Sequence, residues 1–170
     1  MDAILKRRSV RTFDLTKKVS YAELLRLCEY GAAAPTARNQ KSCSFVVIDD
    51  EAVIQELAKV SKGAMVLSKC NTAIAVIGLD PESLSTPLMQ SQDLACTVEN
   101  ILIAATSKGI GSCYIGIYPL EERMKACDSI LGVQDGAFTF ALIAIGYPES
   151  SEVFFDKKKF DLTSVHHNRY

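Results

Sequence analysis

The sequence predicts a domain in which helices and strands share one core, and three stretches carry that prediction. From Gln92 to Gly116 a long apolar helix runs into glycine and is followed by a short strand. Thr72 to Leu79 is a continuous apolar run between polar residues, the pattern of a central strand. Ala137 to Ile145 reads as the last core strand and ends at Gly146-Tyr147-Pro148. A length of 170 residues fits one domain, taken here as 1–170.

Between Leu94 and Ser107 the only formal charge is Glu99. Leu94, Val98, Ile101, Leu102 and Ala105 share one face at helical spacing, while Cys96, Ile103 and Ala104 carry the others. A helix so apolar needs cover all round, and a chain this short encloses one poorly. A partner subunit is therefore expected over some of it, and a charge at Val98 or Leu102 is expected to separate the subunits. Lys108 and Gly109 stop the helix. Ser112-Cys113-Tyr114-Ile115 then reads as a buried strand closed by Gly116. Gly109-Ile110-Gly111 is not a dinucleotide fingerprint, because that motif follows a strand and opens a helix.

Composition narrows the function classes. Hydrophobic content of 48% and charged content of 23% are those of an ordinary globule, and a net charge of −1 gives no support for nucleic acid. Residues 1–41 hold nine Lys/Arg against four Asp/Glu, a local excess of +5. Lys157-Lys158-Lys159 forms a second basic cluster. The six cysteines never stand closer than fourteen residues apart, which argues against zinc ribbons, iron–sulfur clusters and CxxC redox chemistry. Most lie in apolar runs and read as buried thiols, Cys113 among them. No stretch reads as a signal peptide or a membrane span, so the expected location is the cytoplasm. His166-His167 lacks acidic neighbours at ligand spacing, and no metal is expected.

Taken in order, Asp2 to Lys6 gives one or two helical turns before Arg7-Arg8-Ser9-Val10-Arg11. Three guanidinium forks and a hydroxyl can surround a phosphate, although on composition alone a basic N-terminal arm is the favoured reading. Ser20-Tyr21-Ala22-Glu23 is a capping box for a helix to about Ala34, where Pro35 ends it. Pro35-Thr36-Ala37-Arg38-Asn39-Gln40 is either a plain connector or a hydrogen-bonding loop for a flat heteroaromatic ligand. Phe45 to Asp49 is a strand, and Asp49-Asp50 caps a helix to about Val60. Asp80 to Gln90 is a loop of lid size. Pro119 is placed at the first position of a helix that Gly132 closes. No P-loop, GxSxG or Cys–His pair appears, so the chemistry points to a cofactor.

Together these segments resemble the nitroreductase family of flavin enzymes. The resemblance rests on Arg7-Arg8-Ser9-Val10-Arg11-Thr12-Phe13, Ala34-Pro35-Thr36-Ala37-Arg38-Asn39-Gln40, and Gln92-Asp93 opening the helix that leads to Gly109-Ile110-Gly111-Ser112-Cys113-Tyr114-Ile115-Gly116. Ala144-Ile145-Gly146-Tyr147-Pro148 and Val165-His166 complete it, in order along nearly the whole chain.

The resemblance implies an α+β fold, with a mixed or antiparallel sheet of four or five strands flanked by helices. It also implies an intertwined homodimer with FMN at the subunit interface. Arg7, Arg8, Ser9 and Arg11, with Lys157 and Lys159, would hold the phosphate and ring edge. Pro35, Thr36, Ala37 and Asn39 would reach the flavin from the other subunit. Tyr114, Ile115 and Gly116 would lie against the ring, with a backbone N–H near its N5. The implied activity is ping-pong hydride transfer from NAD(P)H through FMN to a nitroaromatic, quinone or flavin, with no catalytic side chain required. A flavoprotein reduced by a protein donor, or a module binding another phosphate, are the alternatives. Two features depart from the family: Lys41-Ser42-Cys43 stands where Gln-Pro-Trp is common, and little is inserted between Ile117 and the last strand.

Overall fold

The computed structural model describes residues 3–156 and 160–170. Four strands, β1 (Cys43–Ile48), β2 (Thr72–Gly78), β3 (Gly111–Gly116) and β4 (Phe138–Gly146), form one sheet in the order β1-β2-β4-β3. Every neighbouring pair is antiparallel. Among the described residues, parallel pairing is confined to an isolated bridge between Ser9 and Ser112. The two uninterrupted apolar runs are the two central strands, β2 and β4, because only they are covered on both faces and both edges.

Five helices cover the sheet: α1 (Ala3–Lys6), α2 (Tyr21–Ala32), α3 (Glu51–Leu57), α4 (Gln90–Ser107) and α5 (Glu121–Leu131). On one face Leu24 and Leu27 of α2 and Leu94, Val98 and Ile101 of α4 pack on Ile74, Val76, Ile143 and Ile145. On the other, Ile54 and Leu57 of α3, Leu67 and Cys127 pack on Ala73, Ala75, Leu142 and Ala144. The alternation of strand side chains divides the sheet residues between these two cores.

Local signals act mostly as the sequence predicts. Ser20 Oγ accepts the Glu23 N–H at 3.2 Å and caps α2. Among the described residues the reciprocal half of the capping box is not formed; Glu23 instead pairs with Lys108 at 2.8 Å. Gly109 and Gly132 end α4 and α5 with φ of 70° and 68°, where a Cβ would be strained. Pro119 is not the first residue of α5. It precedes the N-cap Leu120, after a cis Tyr118–Pro119 bond. The weakly patterned segment after α3 is a 3-10 helix, Lys62–Lys69, with Ala64, Val66 and Leu67 buried. The lid-sized loop folds into two short turns, Pro81–Ser83 and Pro87–Met89, and α4 begins directly after them.

The helix α4 is less enclosed than its composition suggests. Its inner face is buried, whereas Ala95, Cys96 and Glu99 are exposed and Ile103 and Ala104 are half-buried. Ile103 and Ala104 line a groove with Tyr30, Ala33, Asn100 and Ser107. Val98 and Leu102 are only 1% and 4% exposed within the single chain. A charge at either would therefore disrupt the chain's own core and not simply separate the subunits, which corrects the sequence expectation. Among the described residues, no helix is long and apolar enough to cross a membrane.

Candidate functional site

The arginine segment is fastened to the sheet by its backbone. The Val10 N–H donates to Ser112 O at 2.9 Å and the Asp14 N–H to Tyr147 O at 2.9 Å. Phe13 bridges to Pro148. Two glycines make the docking possible: a Cβ on Gly146 would stand 2.9 Å from the Phe13 ring, and one on Gly111 would stand 3.0 Å from Val10. The segment thus crosses the start of β3, an edge strand of the sheet, and reaches the end of β4 at Gly146 to Pro148. Since Ser112 turns its carbonyl to that side, the two-residue alternation turns the N–H groups of Tyr114 and Gly116 the same way.

With the backbone so held, the side chains separate. Arg7 and Ser9 line a cleft with Tyr114, Ala95, Val98, Glu99 and Leu102. Arg7 pairs with Glu99 at 3.0 Å. The pair is partly exposed and worth about 0–1 kcal/mol, less than a charge-assisted bond to phosphate at roughly 1.5–3 kcal/mol. Arg8 points elsewhere, donating to the Phe155 carbonyl and lying 4.1 Å from that ring's centroid. Phe155 stands just before the 157–159 cluster, and the expected roles of Lys157 and Lys159 lie outside the described residues. Arg11 donates to Ser9 O at 3.2 Å and lines a second cleft with Lys62, Val66 and Lys69. Sequence reasoning missed Lys62 and Lys69, because nothing in a weakly patterned segment marks two lysines as facing a distant arginine.

The loop after α2 is held by side chains instead. Arg38, Asn39 and Lys41 have φ of 50°, 54° and 50°. Left-handed backbone costs about 1–3 kcal/mol per non-glycine residue, least for Asn. The Asp93 carboxylate, in the first turn of α4 and 5% exposed, accepts from the Ala37 N–H at 2.9 Å, Gln40 Nε2 at 2.6 Å and Ser42 Oγ at 3.0 Å. Hydrogen bonds to a charged group contribute roughly 1.5–3 kcal/mol each, enough to offset that strain. Gln40 Oε1 in turn accepts from the Thr86 N–H and Oγ1, both at 2.9 Å. Pro35, Thr36, Ala37 and Asn39 are thereby fixed at the N-terminal end of α4, with Pro35 and Asn39 exposed. Asp93 was visible in the sequence only as a residue opening a helix.

Ile115 is 4% exposed and its side chain belongs to the core, so its part in a site on β3 would be played by its backbone, whereas the Tyr114 side chain is 41% exposed. Burial pushes the Cys70 thiol up to about 11, with Cys113 adding a smaller push. Burial pushes the Cys113 thiol up, Arg11 partly opposing it. All six cysteines are free. Among the described residues no His/Cys/Asp/Glu group could hold a metal.

Known proteins share this fold. The nitroreductase family model matches residues 4–69 and 66–147. A protein of Archaeoglobus fulgidus, named as a candidate NADH dehydrogenase/NAD(P)H nitroreductase, is 30% identical over 169 residues, covering 98% of this chain and 96% of its own. A crystal structure from Clostridium acetobutylicum, described as a candidate NADH oxidase, superposes with a TM-score of 0.93 at 34% identity over 99% of this chain and 100% of that one. A nitroreductase candidate from Desulfovibrio desulfuricans, solved with FMN, shares the fold at a TM-score of 0.80 and 24% identity, over 99% of this chain and 95% of that one. With most of its length matched by the family model and a relative aligned end to end, the chain belongs to the nitroreductase family of oxidoreductases.

Proposed function

We propose that the protein is an FMN-dependent oxidoreductase that passes hydride from NAD(P)H to an electron-poor acceptor such as a nitroaromatic, a quinone or a free flavin. The observation that carries this reading is the outer edge of β3. Tyr114 lines one cleft with Arg7 and Ser9, and the outward N–H groups of Tyr114 and Gly116 continue the strand edge to which Val10 is bonded. A flat ring with amide-like edges and a phosphate tail suits that donor set. The buried Ser112 Oγ, without a hydrogen-bond partner among the described residues, adds a polar atom on the same strand. The FMN-bound relative from Desulfovibrio desulfuricans supports the choice of cofactor.

In this reading Arg7, Arg8 and Ser9, with Lys157 and Lys159, hold the phosphate. Arg11, with Lys62 and Lys69 lining the same cleft, would supply positive charge to a bound flavin and so stabilise its reduced, anionic form. The backbone of Tyr114 and Gly116 orients the ring. When bound, FMN supplies the two-electron carrier, taking hydride at N5, and no side chain of this chain need act as acid or base. Donor and acceptor occupy the same face in turn, which is ping-pong kinetics.

The working unit is a homodimer, with Pro35, Thr36, Ala37 and Asn39 contributed across the interface. Support comes from the groove around Ile103 and Ala104 and from the C-terminal segment, where Phe155, Phe160, Leu162, Val165 and Tyr170 are all exposed in one chain. So many bare apolar side chains call for a covering surface. The expected location is the cytoplasm. The test is NAD(P)H consumption by the FMN-loaded protein with nitrofurazone or a quinone. Turnover with parallel-line kinetics is expected. Yellow protein that leaves NAD(P)H untouched would point to a protein donor, and failure to take up FMN would overturn the reading.

A further inference from the structure

We infer that Asp93 is a positioning residue for the flavin: its buried carboxylate, through Ala37, Gln40 and Ser42, fixes the strained 36–41 loop that approaches the ring. The inference rests on the flavin reading above. A carboxylate is needed there because all three groups facing it donate: a main-chain N–H, an amide Nε2 and a hydroxyl. An acceptor with two oxygens satisfies them together, whereas an amide at the same place would set its NH2 against Gln40 Nε2. Gln40 cannot simply turn over, since its Oε1 already accepts two bonds from Thr86 and its Nε2 also reaches Thr86 O at 3.3 Å. Asp93, Gln40 and Thr86 thus form a directional chain from α4 through the loop to the 84–89 segment. Reversing its polarity at a single position leaves two like groups facing each other. Gln90 secures the same corner independently, donating to Leu79 O at 2.7 Å and Ser42 O at 3.3 Å, so the fold does not hang on Asp93 alone.

The chain's directionality supplies the test. Asp93→Asn should weaken FMN binding about tenfold or more, measured by flavin-fluorescence quenching well below the variant's melting temperature. Riboflavin should weaken by the same factor, because the loop addresses the ring and not the phosphate. Gln40→Glu alone should also weaken both ligands, by setting two carboxylates face to face. Asp93→Asn combined with Gln40→Glu exchanges donor for acceptor across the pair, and should bind FMN at least about threefold more tightly than either single variant, short of full recovery because Thr86 O then faces an oxygen in place of Nε2. A residue that matters only for general stability would lower the melting temperature without a ring-specific loss or a polarity-dependent rescue. Should Asp93→Asn not fold, Gln40→Ala reads the same chain, and unchanged affinity there overturns the proposal. Unmodified protein that takes up no flavin overturns the flavin reading and this proposal together. Uptake by unmodified protein with equal uptake by Asp93→Asn overturns this proposal alone.

Discussion

The arginine segment 7–13 and the loop 35–42 both offer polar groups to the candidate site, yet they are anchored by opposite means. The segment is held by main-chain bonds from Val10 to Ser112 and Asp14 to Tyr147, over glycines that let it approach. Its side chains are left to bind. The loop is held by its own side chains and by a buried carboxylate from another element, and its backbone is bent into left-handed conformations. The difference teaches where substitutions act. In the segment a side chain can be removed with the backbone unmoved, so losses should be local to one ligand group. In the loop the supporting side chains set the backbone, so losses should spread over every contact it makes.

The largest effect should come from separating the two regions altogether. Ile103→Glu places a charge in the half-exposed groove of α4, outside the chain's own core, and burying it unpaired at an interface would cost roughly 3–5 kcal/mol. Monomeric, folded protein without FMN is expected from light scattering and absorbance; a folded monomer that holds FMN tightly would show that one chain supplies both regions. Next comes Arg8→Ala. Loss of one charge-assisted bond should weaken FMN by about 1.5–3 kcal/mol and leave riboflavin nearly unchanged, as titration calorimetry would reveal. Equal loss of both ligands would mean that Arg8 acts chiefly by holding the Phe155 segment.

A smaller change should follow at the segment's backbone anchor. Gly146→Ala drives a methyl into the Phe13 ring, for a cost of about 1–3 kcal/mol in thermal or denaturant unfolding. FMN and riboflavin should then weaken together, unlike the Arg8 variant. The smallest effect belongs to Cys113→Ala. The thiol is buried, its pKa is raised by desolvation, and hydride transfer through FMN needs no thiol. Turnover should stay within about tenfold, roughly 1.4 kcal/mol of barrier. A hundredfold loss with flavin still bound would give the Cys70–Cys113 neighbourhood a role in the chemistry.

These contrasts also mark what could be read along the chain. Ser20, Asp50, Gly109 and Gly132 act as caps where they stand, because a cap answers to the few peptide groups beside it. The runs 72–79 and 137–145 announce the central strands, because only a strand covered on both faces tolerates unbroken apolar sequence. The arginine motif and the 35–40 loop were likewise visible as segments of interest. Tertiary structure alone decided what each does. Helical spacing puts Val98 and Ile103 on different faces of α4, but only packing makes one face core and leaves the other an open groove. Arg7, Arg8 and Arg11 form one motif but point to three places, since each direction depends on the remote residue that receives it: Glu99, Phe155, or the cleft of Lys62 and Lys69. Asp93 reads as a helix-opening acid until the fold brings Ala37, Gln40 and Ser42 around it. Local propensities are set by neighbours along the chain and survive in any fold, whereas a buried charge takes its partners from whatever the sheet and helices bring within about 3 Å.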